Sequence, residues 1–202
     1  MTLKIAIFVF PEVEVLDFAG PYEVFTTASR VFGRQNPGQA APFEVFTVAA
    51  TPSPIKARAG LPILPEFDFT NAPAIDLLLV PGGVVSAEQA KPAVIEWIAR
   101  TAAQAGLTAS VCTGAFLLAA AGLLNGRRVT THWEDIDDLR RDFPHLQVTS
   151  GQRWVDTGNI VTSGGISAGI DMSLHLVARL AGRELAMKTA RQMAYRWEEN
   201  AS

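Results

Sequence analysis

Apolar residues in this chain gather into short, nearly unbroken runs set apart by glycine, proline and charge. Leu3 to Phe10 (LKIAIFVF) is such a run, rich in β-formers, and predicts a strand buried on both faces. Pro11 ends it, and Gly20-Pro21 predicts a helix over about Tyr22–Val31 with proline at its first position. After a polar loop, Phe43–Ala50 reads as a second strand. Thr51–Pro65 contains prolines 52, 54, 62 and 65, so it predicts a loop with at most short edge strands. Ile75–Val80 is a further buried strand, closed by Pro81-Gly82-Gly83. A helix over about Ser86–Ala105 carries Val94, Trp97, Ile98 and Ala102 at helical spacing.

The second half repeats the alternation. Leu107–Val111 predicts a strand and Thr113–Ala121 a helix of small and apolar residues, followed by a short strand at Arg128–Thr131. An acidic helix follows over Trp133–Phe143. Short strands are expected at Gln147–Ser150, Arg153–Asp156 and Ile160–Thr162, the last two joined by a turn at Thr157-Gly158-Asn159. Helices at about Ser167–Ala181 and Arg183–Trp197 complete the pattern. Strands alternating with helices predict an α/β fold, a doubly wound, mostly parallel sheet with helices on both faces. No long linker, repeat or low-complexity segment interrupts residues 1–202, so one domain is expected.

Composition narrows the function classes. A length of 202 residues, 49% hydrophobic, can bury a sizeable core without cross-links. A net charge of −3 argues against a nucleic-acid partner, although Arg127-Arg128 and Arg140-Arg141 are adjacent basic pairs. The single cysteine excludes an intramolecular disulfide and any Cys-rich metal site, and the three histidines show no ligand spacing, so no metal is expected. The first ten residues lack a signal-peptide cleavage site, and the longest apolar stretch, Ala115–Leu124, is too short for a bilayer. A soluble, cytoplasmic protein without a membrane partner is the expectation.

Ligands of open α/β sheets bind beyond the carboxyl ends of the strands, and unusual residues follow four of these strands. Cys112, in Ser110-Val111-Cys112-Thr113-Gly114, stands where strand becomes helix, the layout of a nucleophile elbow. A helix N-terminus there would favour the thiolate; a buried, inert cysteine fits the same pattern. Pro81-Gly82-Gly83 reads as a plain turn or as an oxyanion cradle of backbone N–H groups. Asp17, between Leu16 and Phe18, should have a raised pKa and could exchange a proton with the thiol; the alternative is a helix N-cap. His132 could pair with the thiol or be an ordinary packed residue beside Trp133. His145 looks like a surface turn and His175 core or half-buried. Gly164-Gly165-Ile166-Ser167-Ala168-Gly169 lacks dinucleotide spacing and reads as a helix start, with Ser167 as cap or pocket wall.

Taken in order, these pieces resemble the ThiJ/PfpI superfamily, flavodoxin-like relatives of the class I glutamine amidotransferases. The resemblance rests on Phe10-Pro11, Asp17-Phe18-Ala19-Gly20-Pro21, Val80-Pro81-Gly82-Gly83, Ser110–Gly114, Gly126–Trp133 and Thr162–Asp171, over nearly the whole chain. Within it the chain looks most like the isocyanide hydratases, with an aspartate at position 17 where many branches carry glutamate. Thr113 stands where the protease-type branch has histidine. The resemblance implies a lyase that hydrates an isocyanide to an N-formamide through a cysteine thioimidate. Cys112 would attack and Asp17 would hold the proton and later help water attack. The Gly83 and Thr113 N–H groups would support charge, Gly82, Ile166, Ser167 and the Thr113 side chain would shape the pocket, and His132 would be an auxiliary. It implies no cofactor, a small-molecule substrate and a homodimer, for which the apolar face Val24, Phe25, Val31 and Phe32 is a candidate patch, although such a face is more often core. Another cysteine-dependent reaction on amides or reactive carbonyls is the alternative. So is a ligand- or redox-sensing role, since sensor domains of AraC-type regulators share these motifs. The roughly 20 residues after Gly182 leave room for one helix and no DNA-binding domain.

Overall fold

A computed structural model describes residues 1–200. In chain order it contains β1 (Leu3–Phe8), α1 (Val15–Gln35), β2 (Phe43–Ala49), β3 (Ile55–Lys56), β4 (Pro62–Ile63), β5 (Phe67–Asp68), β6 (Leu77–Val80), α2 (Ser86–Gln89) and α3 (Pro92–Gln104). Then follow β7 (Leu107–Val111), α4 (Gly114–Ala120), β8 (Arg128–Val129), α5 (Ile136–Asp142), β9 (Gln147–Val148), β10 (Trp154–Asp156), β11 (Ile160–Ser163), α6 (Ser167–Ala181) and α7 (Arg183–Gln192). The main sheet runs β10-β11-β7-β6-β1-β2-β5. All its neighbours are parallel except the hairpin β10–β11. Its five central strands, taken in sequence, follow the 2-1-3-4-5 order of the flavodoxin-like fold. The predicted fold class is the observed one.

The strands were legible because burial on both faces removes any alternation of polar residues. Ile5, Ile7, Phe8, Leu78, Leu79, Ala109 and Val111 have no solvent exposure. Helices α1, α6 and α7 pack together on one face, and α3 and α4 on the other. Much of the apolar face of α1 packs there: Val24 and Phe25 are fully buried, Val31 nearly so, and Phe32 is half-buried.

Four helix boundaries differ from expectation. Helix α1 begins at Val15, so Asp17 lies in its first turn and Pro21 inside it. Pro21 has no N–H for the Asp17 carbonyl, a loss that ordinarily breaks a helix; packing of α1 against α6 and α7 carries it through. The predicted Ser86–Ala105 helix is two pieces, because Lys91, ahead of Pro92, is extended (φ −99°, ψ 105°). The acidic segment begins as a 3₁₀ turn, Trp133–Asp135, before α5. The last helix ends at Gln192, five residues short of Trp197. No described helix is long and apolar enough to cross a membrane.

Candidate active site at the carboxyl edge of the sheet

Strand β7 delivers Cys112 to the carboxyl edge. Its φ is +56°, the left-handed region that non-glycine residues avoid. The strained turn is held by its own amide, which donates to the carbonyls of Ser163 and Gly164 at 3.2 Å each. The Cys112 carbonyl accepts from Thr131 Oγ1 at 2.8 Å. Helix α4 starts two residues later, and Gly114 is required there because a Cβ would fall on the Val80 carbonyl. The elbow expected from the sequence is therefore built, and strain of this kind collects at functional sites.

Asp17 comes from the first turn of α1, next to the end of β1, and is fully buried. It is no cap: Glu14 holds the N-cap position and makes no side-chain cap bond. Asp17 Oδ2 accepts from the Gly82 N–H at 3.0 Å, while Oδ1 is buried without a partner. Burial pushes its carboxyl up to about 7 against the pull of the Gly82 N–H, and the charge of Glu14 adds to the rise. The Cys112 thiol and the Ile166 amide pull it down by less. The raised carboxyl anticipated from its apolar setting is present.

Gly82 and Gly83 serve differently from expectation. A Cβ on Gly82 would stand 2.6 Å from Thr113 N and 2.9 Å from Asp17 Oδ2. Gly83 (φ +136°) bridges to Val13 in a short antiparallel contact, where a Cβ would meet Glu12 and Glu14 backbone. The Gly83 N–H donates to Thr113 Oγ1 at 2.9 Å, and that hydroxyl donates to the Gly83 carbonyl at 2.9 Å. Both glycine N–H groups are thus occupied, by Asp17 and by Thr113, and the oxyanion cradle expected from them is not formed. The Thr113 N–H is the one directed at the sulfur.

The thiol itself also departs from expectation. Burial, then the charge of Asp17, push it up to about 12, outweighing the Thr113 N–H. Cys112 rests as a thiol, and a proton acceptor is needed to make it a nucleophile. Asp17 is the group whose range suits that exchange.

Above the sulfur lies a cavity of ≈ 320 Å³ lined by Glu14, Arg58, Gly83, Cys112, Thr113, His132, Glu134, Asp135 and Ile166. Cys112, Gly83, Thr113, His132 and Ile166 of the predicted set therefore meet; Asp17 and Gly82 lie outside the wall. Ile166 carries φ +53°, a second strained non-glycine residue. Ser167 neither caps α6 nor lines this cavity; Ile166 is the N-cap, and Ser167 Oγ accepts from Arg153 at 3.4 Å. His145 is exposed and bonded to Asn125 at 2.6 Å, and His175 is half-buried, 2.8 Å from Asp156. Sequence reading missed Glu14, Arg58, Glu134 and Asp135. Only Asp135, three residues after His132, left a signal in the local spacing.

Fold and site together define a class, and comparison bears it out: the DJ-1/PfpI family model matches residues 3–179, and the chain belongs to that family. It is 36% identical to an isonitrile hydratase of Pseudomonas putida over 196 residues, 96% of this chain and 79% of that protein. It is 30% identical over 90% of its length to the HTH-type transcriptional regulator GbdR of Pseudomonas aeruginosa, covering 47% of the regulator. Among solved structures, a ThiJ/PfpI family protein from Pseudomonas syringae superposes with a TM-score of 0.84 and 29% identity, over 98% of this chain and 77% of the other.

Proposed function

We propose that the protein hydrates isocyanides to N-formamides through a covalent adduct on Cys112. The observation that carries this reading is a protonated thiol on a strained elbow, beside a sealed carboxyl whose range lies near neutrality. Likeness to an isonitrile hydratase over nearly the whole chain supports it.

The thiol gives its proton to Asp17, and the sulfur bonds to the terminal carbon of R–N≡C. The proton returns to that carbon, giving the thioimidate Cys–S–CH=N–R. Water then adds across C=N, and the adduct collapses to R–NH–CHO and the free thiol. The net change is addition of one water, so neither an oxidant nor a cofactor takes part. Thr113, through its N–H at the sulfur, supports the thiolate that forms first and leaves last. Glu14, Glu134 and Asp135 outnumber Arg58 among the charged groups lining the cavity, which favours neutral or cationic R groups over carboxylates. We read the protein further as cytoplasmic, on its single unpaired cysteine, and as a homodimer, on the family likeness; light scattering of the purified protein tests the dimer.

Likeness to a transcriptional regulator favours a second reading, ligand sensing without turnover. Incubation with an alkyl isocyanide separates the two: formamide beyond one equivalent supports hydration. Saturable binding without product supports sensing, and turnover of amides or methylglyoxal alone points to a hydrolase.

A further inference from the structure

The segments 131–137 and 164–168 serve two cavities at once. His132, Glu134, Asp135 and Ile166 line the one over the sulfur. Thr131, Trp133, Ile136, Gly165 and Ala168 line a second, of ≈ 490 Å³, a size that suits a small molecule. The partition between them is the His132 ring lying against Gly165, where a Cβ would stand 2.9 Å from Cγ and Nε2. Trp133 is the most exposed aromatic residue of the chain at 76%, whereas Trp97 and Trp154 are buried. An indole left in water at the rim of a cavity offers a face on which another flat ring can stack. Gly151, Gly164, Gly165 and Ala168 present only backbone or a methyl group to the same space. A Cβ on Gly151 would meet nothing within 4 Å. The chain therefore lines a groove there without filling it.

The charges of the wall decide what can enter. Arg140 pairs with Asp137 at 3.0 Å, and Arg153 is held by Asp171, with Glu198 3.5 Å away. Each cation already has its carboxylate. Asp171 has no exposure, so drawing Arg153 toward a bound anion would strand a buried acid, a costly state. The Thr130 and Thr131 hydroxyls donate to the Thr149 and Cys112 carbonyls. Ser150 and Gln152, both exposed, are left as the polar side chains that can meet the edge of a ligand. We infer that this groove is a second binding site, separate from the cavity over Cys112, for an uncharged, flat heteroaromatic compound. The ring stacks on Trp133, and its polar edge exchanges hydrogen bonds with Ser150 and Gln152. The inference stands apart from whichever reaction Cys112 carries out.

The test titrates the isotope-labelled full chain with indole, a neutral flat ring with an N–H edge, and follows the amides by NMR. Binding should saturate with a Kd below about 1 mM, within reach of so small a ligand. The signals of Trp133, Gly151 and Gly165 should move more than those of Gly83 and Thr113 in the other cavity. Trp133→Ala should weaken binding roughly 5–100-fold, the range for losing one stacking partner. Trp133→Phe should restore most of it, and both variants should melt with wild type because the side chain is exposed. Cyclohexanol, which is not flat, and indole-3-acetate, which is anionic, should both bind several-fold more weakly than indole. Shifts centred on Gly83 and Thr113, wild-type affinity in Trp133→Ala, or equal binding of cyclohexanol would overturn the assignment. So would Trp133 signals that respond to protein concentration and not to indole, which would make this face a contact between copies of the chain.

Discussion

Asp17 and Asp135 both bear on the charge of Cys112, yet they occupy opposite surroundings. Asp17 has no exposure, one backbone N–H and no cation; Asp135 sits at the mouth with its side chain about a third exposed (31%) and His132 against it. Burial raises both carboxyls; His132 pulls Asp135 down against the charges of Asp138 and Glu134, and the Gly82 N–H pulls Asp17 down against the charge of Glu14. Burial alone thus holds both acids up, and what separates them is depth: Asp17 is sealed beneath the sulfur, while Asp135 shares the mouth with an imidazole.

The largest expected effect comes from removing the inner member. Asp17→Asn should lower kcat/KM for hydration roughly 10²–10⁴-fold, the range for a lost acid–base group, measured by formamide release. In the wild type the reactive pair holds one proton, so kcat/KM should rise through an apparent pKa of about 7 and stay level to at least pH 9. Stability should move the other way. The folded carboxyl binds its proton more tightly than the unfolded one, so its contribution is favourable below about pH 4 and is lost as pH rises to about 7. Asp17→Asn should therefore be more stable than wild type at pH 8, on the order of 2–4 kcal/mol, with the difference vanishing near pH 4. Thermal melts of the two proteins at the two pH values check this.

A smaller effect comes from filling the gap between the two sides. Gly82→Ala places a Cβ against Thr113 N and Asp17 Oδ2, with little room to yield. It should cost about 1–3 kcal/mol, as overpacking does, measurable by urea unfolding. Smaller still is the strain in the elbow. Cys112→Gly should be more stable than Cys112→Ala by about 1 kcal/mol, since glycine accepts φ +56° without penalty; elsewhere in a strand or helix the order would reverse. Last comes the mouth. An isocyanide bearing a carboxylate should show a KM a few-fold above its neutral isostere at low salt, and the gap should close as salt screens the rim.

The strands delivering this site were readable because a parallel sheet buried on both faces writes itself as apolar runs; Leu107–Val111 was read to the residue. Cys112, Asp17 and the glycine pair were readable as interruptions directly after those runs. The start of α1 was not, because Gly20-Pro21 carries the local signature of a helix start while contacts with α6 and α7 override it. Nor were the partners of the glycine N–H groups, which depend on Asp17 and Thr113 arriving from 65 and 30 residues away. The direction of the thiol shift was misjudged for a related reason. A helix N-terminus is visible in sequence, but the depth of burial and the carboxyl beneath the sulfur are not. Arg58 reaches the cavity from the proline-rich loop, bonded to Val13 through its amide, a placement without local signature.

In the proposed reaction one sulfur, that of Cys112, carries the chemistry. That role is tested most directly by incubating wild type and Cys112→Ala with an alkyl isocyanide and following formamide by NMR. Wild type should release many equivalents, and the variant should show no formation above the uncatalysed rate. Formamide production by Cys112→Ala at a rate comparable to wild type would overturn that role for the sulfur.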